Sequence, residues 1–94
     1  MDIARSDIVK SAAGRDKGKH FFVLGTEGEF LLLADGKSRK LERPKRKKRK
    51  HVVFTARSDC RTAEKIRSGE KITNSELRKT LAQFGGEGNP DQEG

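Results

Sequence analysis

Between Lys37 and Lys50 the sequence places ten basic residues, Lys37, Arg39, Lys40, Arg43, Lys45, Arg46, Lys47, Lys48, Arg49 and Lys50, against one acid, Glu42. A segment of this density is a poor candidate for a core strand, because a buried charge without a partner is strongly destabilising. Residues 43–50 are therefore expected to form a mobile arm or extended loop between two strands. Pro44 biases the backbone before it toward extended geometry, and self-repulsion keeps the segment open. With 94 residues in all, the chain has room for one small core, which argues against a second domain and excludes a sizeable catalytic cavity.

The charge is uneven. Residues 1–55 carry 15 Lys and Arg against 7 Asp and Glu, whereas residues 56–94 carry 7 of each, so the whole formal charge of +8 lies in the first part. A field focused in this way attracts polyanions, chiefly nucleic acid or an anionic membrane surface. The same residues would also serve as a solubilising run or a lysine-rich address. Membrane-surface attachment is disfavoured, since the arm has no interleaved Trp, Phe or Leu to insert. The longest apolar stretch, Phe30 to Ala34, is far short of the roughly 20 residues of a membrane-spanning helix. The first residues have no apolar signal core, so a soluble, cytoplasmic protein with no membrane partner is expected. Cys60 is the single cysteine and has no disulfide partner in the chain, which fits a reducing compartment.

Apolar residues follow the same division, 20 in the first 55 positions and 9 in the last 39. The core is therefore expected in residues 1–55. Strands are predicted at 7–13, 20–24 and 29–34 from β-branched and aromatic content, a fourth at 37–43, ending before Pro44, and a fifth at 51–55. The turns between them are Gly14-Arg15-Asp16-Lys17-Gly18, Gly25-Thr26-Glu27-Gly28 and the two-residue hairpin signal Asp35-Gly36. Five short antiparallel strands make a mainly β fold, a small barrel. After residue 55 the pattern turns helical. A first helix is predicted over 57–68, stopped by Gly69. A second follows the capping-box spacing Thr73-Asn74-Ser75-Glu76, with Leu77, Leu81 and Phe84 on one face and Gly85-Gly86 at its end. Residues 56–84 thus form a short helical extension, and 85–94 a mobile acidic tail.

Chemistry is sparse. Cys60 has no activator near it in sequence, and His20, His51 and Cys60 match no compact metal-ligand spacing. Gly14 and Gly18 are too isolated for a phosphate-binding loop, and no Gly-Lys-Ser/Thr follows. No enzyme activity, metal or cofactor is expected. Nucleic-acid binding is the best use of the arm. The chain lacks Trp and Tyr, and its five phenylalanines sit in predicted strands or on a helix face, so splaying single strands over aromatic platforms fits poorly. Contact with phosphates and 2′-hydroxyls of structured RNA fits better.

Residues 7–19, Asp-Ile-Val-Lys-Ser-Ala-Ala-Gly-Arg-Asp-Lys-Gly-Lys, followed by Phe21-Phe22-Val23-Leu24, resemble a KOW motif. The continuation Phe30-Leu31-Leu32-Leu33-Ala34-Asp35-Gly36-Lys37, the basic run from Arg43 and then Lys50-His51 with Thr55 resemble the KOW-containing large-subunit ribosomal proteins of archaea and eukaryotes. The resemblance spans residues 5–55. It implies an SH3-like β-barrel, contact with rRNA of the large subunit through the basic loops, and a role in translation or ribosome assembly beside ribosomal proteins. Combined with the strand and helix pattern, the expected fold is a barrel of about five strands followed by one or two short α-helices, and the expected state a monomer off the ribosome. The RNA-binding set is then Arg15, Lys17, Lys19, the ten basic residues of 37–50 and His51, with Gly14 and Gly18 shaping the first loop. KOW segments also occur in transcription elongation factors of the NusG kind, where the module meets polymerase or another protein. For that alternative the stripe Leu77, Leu81, Phe84 would be the contact, if exposed; packing on the barrel is the favoured expectation, because so small a barrel gains from added burial.

Overall fold

A computed structural model describes residues 3–57 and 60–85, without the side chains of residues 84 and 85. The chain forms five strands, β1 (Asp7–Ser11), β2 (His20–Glu27), β3 (Phe30–Ala34), β4 (Lys45–Lys48) and β5 (Val52–Arg57). A 3-10 turn (Arg49–His51) joins β4 to β5, and two helices follow, α1 (Arg61–Ser68) and α2 (Asn74–Gly85). All pairings are antiparallel, in the order β4-β3-β2-β1-β5. The last strand thus returns to pair with the first. β4 and β5 are the edges of the sheet, which is not closed.

The apolar residues alternate along the strands and so split between two cores, as a period of two requires. Val9, Phe21, Val23, Leu31, Leu33 and Val52 share one cluster with Ile3, and Phe54 packs against it. Ile8, Phe22 and Ala34 point the other way, to Ala63 and Ile66 of α1 and Leu77 and Leu81 of α2. Residues from β5 and β3 meet in the first cluster across β1 and β2, so the sheet curls over it. Register shifts between Ile8 and Val9 and between Val23 and Gly25 supply local bends of the kind that curl a sheet.

Both helices begin and end where local chemistry directs. Cys60 caps α1, its sulfur accepting from the Ala63 amide at 3.5 Å, and Gly69 closes it in the left-handed region at φ 79°. The Thr73 hydroxyl accepts from the Glu76 amide at 3.2 Å, while a Glu76 carboxylate oxygen accepts from the Thr73 amide at 2.9 Å, which is the predicted capping box.

Several expectations are corrected. No strand occupies 37–43. The fourth strand lies beyond Pro44, inside the segment expected as a mobile arm, where Leu33, Leu32, Leu31 and Phe30 pair with Lys45, Arg46, Lys47 and Lys48. Asp35-Gly36 does not make a two-residue hairpin. It opens a ten-residue connection in which Asp35 Oδ1 accepts from the amides of Lys37 and Arg39. β2 continues through Gly25 to Glu27, and the turn to β3 is Gly28-Glu29, with Gly28 at φ 60°. Arg57 belongs to β5, and α1 starts at Arg61. Of the expected acidic tail, Gly85 ends α2, and residues 86–94 lie outside the described residues.

Candidate nucleic-acid interface

Three segments carry the basic residues: the β1–β2 loop, the β3–β4 connection, and β4 with the 3-10 turn after it. The β1–β2 loop is closed at its base by backbone bonds, Gly18 amide to Ser11 carbonyl at 2.8 Å and Ser11 amide to Lys19 carbonyl at 2.9 Å. Gly14 at φ 86° and Gly18 at φ 91° take left-handed backbone there, so the two glycines singled out in the sequence shape this loop. Arg15, Lys17 and Lys19 project from it, exposed.

β4 is where structure and expectation part. Lys47 is buried, and its Nζ donates to Ser11 Oγ at 2.7 Å, Ala13 carbonyl at 2.6 Å and Asp16 Oδ1 at 2.8 Å. Lys45 Nζ stands 2.7 Å from Asp16 Oδ2. Burial pushes the Asp16 carboxyl up, but hydrogen bonds from Lys45, Lys47 and Ser11 outweigh it and hold the group well below the usual carboxylate range. Arg46 pairs with Glu27 at 3.3 Å and lies 4.3 Å above the Phe30 ring centre, with Lys48 at 5.9 Å from the same ring. Arg49 donates to the Ile3 carbonyl at 3.2 Å. Half of the predicted arm is therefore engaged within the fold, and Lys47 is a core residue unavailable to a ligand.

The remaining cations are differently placed. Lys37, Arg39, Lys40 and Arg43 line the β3–β4 connection, and Lys50 and His51 sit on the 3-10 turn, all exposed. With Arg15, Lys17 and Lys19 they form no ion pair among the described residues. The connection is hydrogen-bonded to α2. Asn74 Oδ1 accepts from the Leu41 amide at 2.8 Å, and its Nδ2 donates to Glu42 at 3.1 Å. The Asn74 bond, helped by Glu42's own amide and by Lys40, draws the Glu42 carboxyl below its usual value.

An open groove of about 860 Å³ brings the two loops together. Gly18, Lys19 and His20 form one side, residues 35–38 and Lys40 another, and Arg78, Leu81 and Ala82 of α2 the third. Arg78 reaches across it to donate to the Gly36 carbonyl at 2.7 Å. Sequence reasoning missed Arg78, which sits beside the apolar stripe of α2 and becomes part of the basic surface only through the docking of that helix. As for the stripe of α2, Leu77 and Leu81 pack as core in the second cluster, the favoured of its two expected roles, and the Phe84 side chain lies outside the described residues.

No protein-family model matches the sequence, and no curated protein matches it. Among the described residues no three His, Cys, Asp or Glu side chains cluster as metal ligands, and no helix is long and apolar enough to cross a membrane. The groove and its flanking loops thus form a concave surface on which several exposed cations meet.

Proposed function

We propose that this chain is an RNA-binding protein of the KOW kind, associated with the large ribosomal subunit, that grips the phosphate backbone of structured RNA. The observation that carries this is the convergence of Lys19, Lys37, Lys40 and Arg78 around one groove, flanked by the exposed Arg15, Lys17, Arg39 and Arg43. Cations on two loops whose backbones are tied into the fold are not spent on ion pairs among the described residues and are held at set spacings, which favours a polyanion of fixed shape. Helical RNA offers such a shape through phosphates and 2′-hydroxyls. Five short antiparallel strands, the last paired with the first, are consistent with an SH3-like plan for residues 3–57, left open between β4 and β5.

The test is a titration of fluorescent duplex rRNA fragments across a salt series, beside in-cell UV crosslinking with sequencing of the bound RNA. About six phosphate contacts give a slope of log K against log salt of roughly −4 to −5. Crosslinks should concentrate at one or two rRNA helices. A slope near zero, or crosslinks scattered over all abundant RNA, overturns the proposal.

A further inference from the structure

The groove is larger and less polar than backbone contact alone requires. A phosphate needs a rim of donors, whereas about 860 Å³ falls within the range of sites that enclose small organic molecules. Its third wall is Leu81 and Ala82, and lysine stems extend apolar surface around the opening. Gly18 contributes backbone without a side chain, and nothing lies within reach of a Cβ there, so that side of the groove is open to a flat group, while Gly36 lets its loop approach α2 closely.

The rim is cationic, with Lys19, Lys37, Lys40 and Arg78 facing a single carboxylate, Asp35. That carboxylate is already engaged: Oδ1 accepts from the amides of Lys37 and Arg39, and Oδ2 from the Ser38 hydroxyl at 3.0 Å. Arg78 uses one donor on the Gly36 carbonyl, which fixes the guanidinium at the groove and leaves its other N–H groups and its planar face for a ligand. A ligand with an apolar planar part and an attached anion meets all of these features. Nucleotides have that form, and unpaired bases of RNA stack on guanidinium planes as well as on aromatic rings.

We propose that this groove receives one unpaired nucleotide extruded from the bound RNA, its phosphates on Lys19, Lys37, Lys40 and Arg78 and its base between Arg78 and Ala82. This rests on the RNA-binding reading above and adds a preference for helices interrupted by a bulge. A free mononucleotide shares the chemistry, but the exposed cations that continue beyond the groove, Arg15, Lys17, Arg39 and Arg43, would have nothing to contact on so small a ligand.

Two RNA hairpins with the same stem, one fully paired and one carrying a single bulged 2-aminopurine, distinguish the possibilities. The bulged hairpin is expected to bind about tenfold more tightly, within what one stacked base supplies, and its emission to change on binding. Ala82→Gln fills the groove without altering charge at an exposed helical position, and is expected to abolish both the preference and the emission change. Equal affinity of the unaltered protein for the two hairpins, with a steep salt dependence, overturns the inference while RNA binding stands. No affinity for either hairpin removes both. A preference that survives Ala82→Gln overturns the placement in this groove, as does tighter binding of adenosine 5′-monophosphate than of the bulged hairpin.

Discussion

Lys47 Nζ lies 2.8 Å from Asp16 Oδ1, a bond that ties the middle of the basic run to a loop 31 residues earlier in the chain. Lys45 holds the other oxygen of the same carboxylate. Two lysines on one acid anchor edge strand β4 against the β1–β2 loop, and so set the position of Arg15, Lys17 and Lys19.

Removing that carboxylate strands a buried ammonium. Asp16→Asn is expected to cost about 3 kcal/mol, the lower end of the range for breaking a buried pair from one side. In a domain of this size that is a fall of more than about 10 °C in Tm, read by circular dichroism. Adding Lys47→Met should recover part of the loss, because the stranded charge is then gone. An unchanged Tm for Asp16→Asn would show that the pair contributes nothing.

The same carboxylate fixes a pH dependence. Its folded pKa is depressed, so its contribution is complete above the unfolded value of about 4 and declines as pH falls below that toward the folded pKa. Urea unfolding of the unaltered protein and of Asp16→Asn should therefore give midpoints far apart at neutral pH and converging in acid. A constant gap across the titration contradicts the assignment.

Gly36 sits at φ 77°, and a Cβ built there would run into the Asn74 carbonyl and crowd Leu77. Gly36→Ala combines left-handed strain with backbone overlap at the start of α2, and is expected to destabilise by about 2 kcal/mol or more. Gly18, at φ 91°, has no heavy atom within reach of an added Cβ. Gly18→Ala should show the smaller loss, about 1 kcal/mol, from backbone strain without collision. Equal losses at the two sites in chemical denaturation would contradict the close approach of Gly36 to α2.

The division of the basic residues is directly measurable in binding. Replacing Lys37 and Lys40 together by Gln should weaken RNA binding and reduce the magnitude of the salt slope by about 2, one unit for each lost phosphate contact. Lys47→Met, compared at equal folded fraction, should leave the slope as it was, since Lys47 already spends its donors on Ser11, Ala13 and Asp16. A slope that changes equally in both variants would mean that Lys47 reaches the ligand.

What the sequence reveals and what it conceals divide by range. β2 and β3 are legible because Phe21, Phe22, Val23 and Leu31, Leu33, Ala34 lie in continuous apolar runs bounded by glycines, and α2 because Thr73 and Glu76 cap each other across three residues. β4 is concealed because its charge is neutralised from a distance. Glu42 is the only acid within the basic run, whereas the acids that pair with β4, Asp16 and Glu27, belong to other elements. The exposed cations of the two loops were identified from composition, but Arg78 was not, since its role depends on the docking of α2 against Gly36. Long-range ion pairs and helix placement leave no local pattern.

The two-sided burial of the sheet bears on how this chain can be dissected. Cutting after Thr55 would remove Ala63, Ile66, Leu77 and Leu81 and turn Ile8, Phe22 and Ala34 out to water on the face of a strand-rich fragment with open edges. Such a fragment invites self-association through exposed strand surface. The helical segment therefore shields one face of the sheet from water and from other copies, and any trimmed version meant to keep the basic loops in place must retain it.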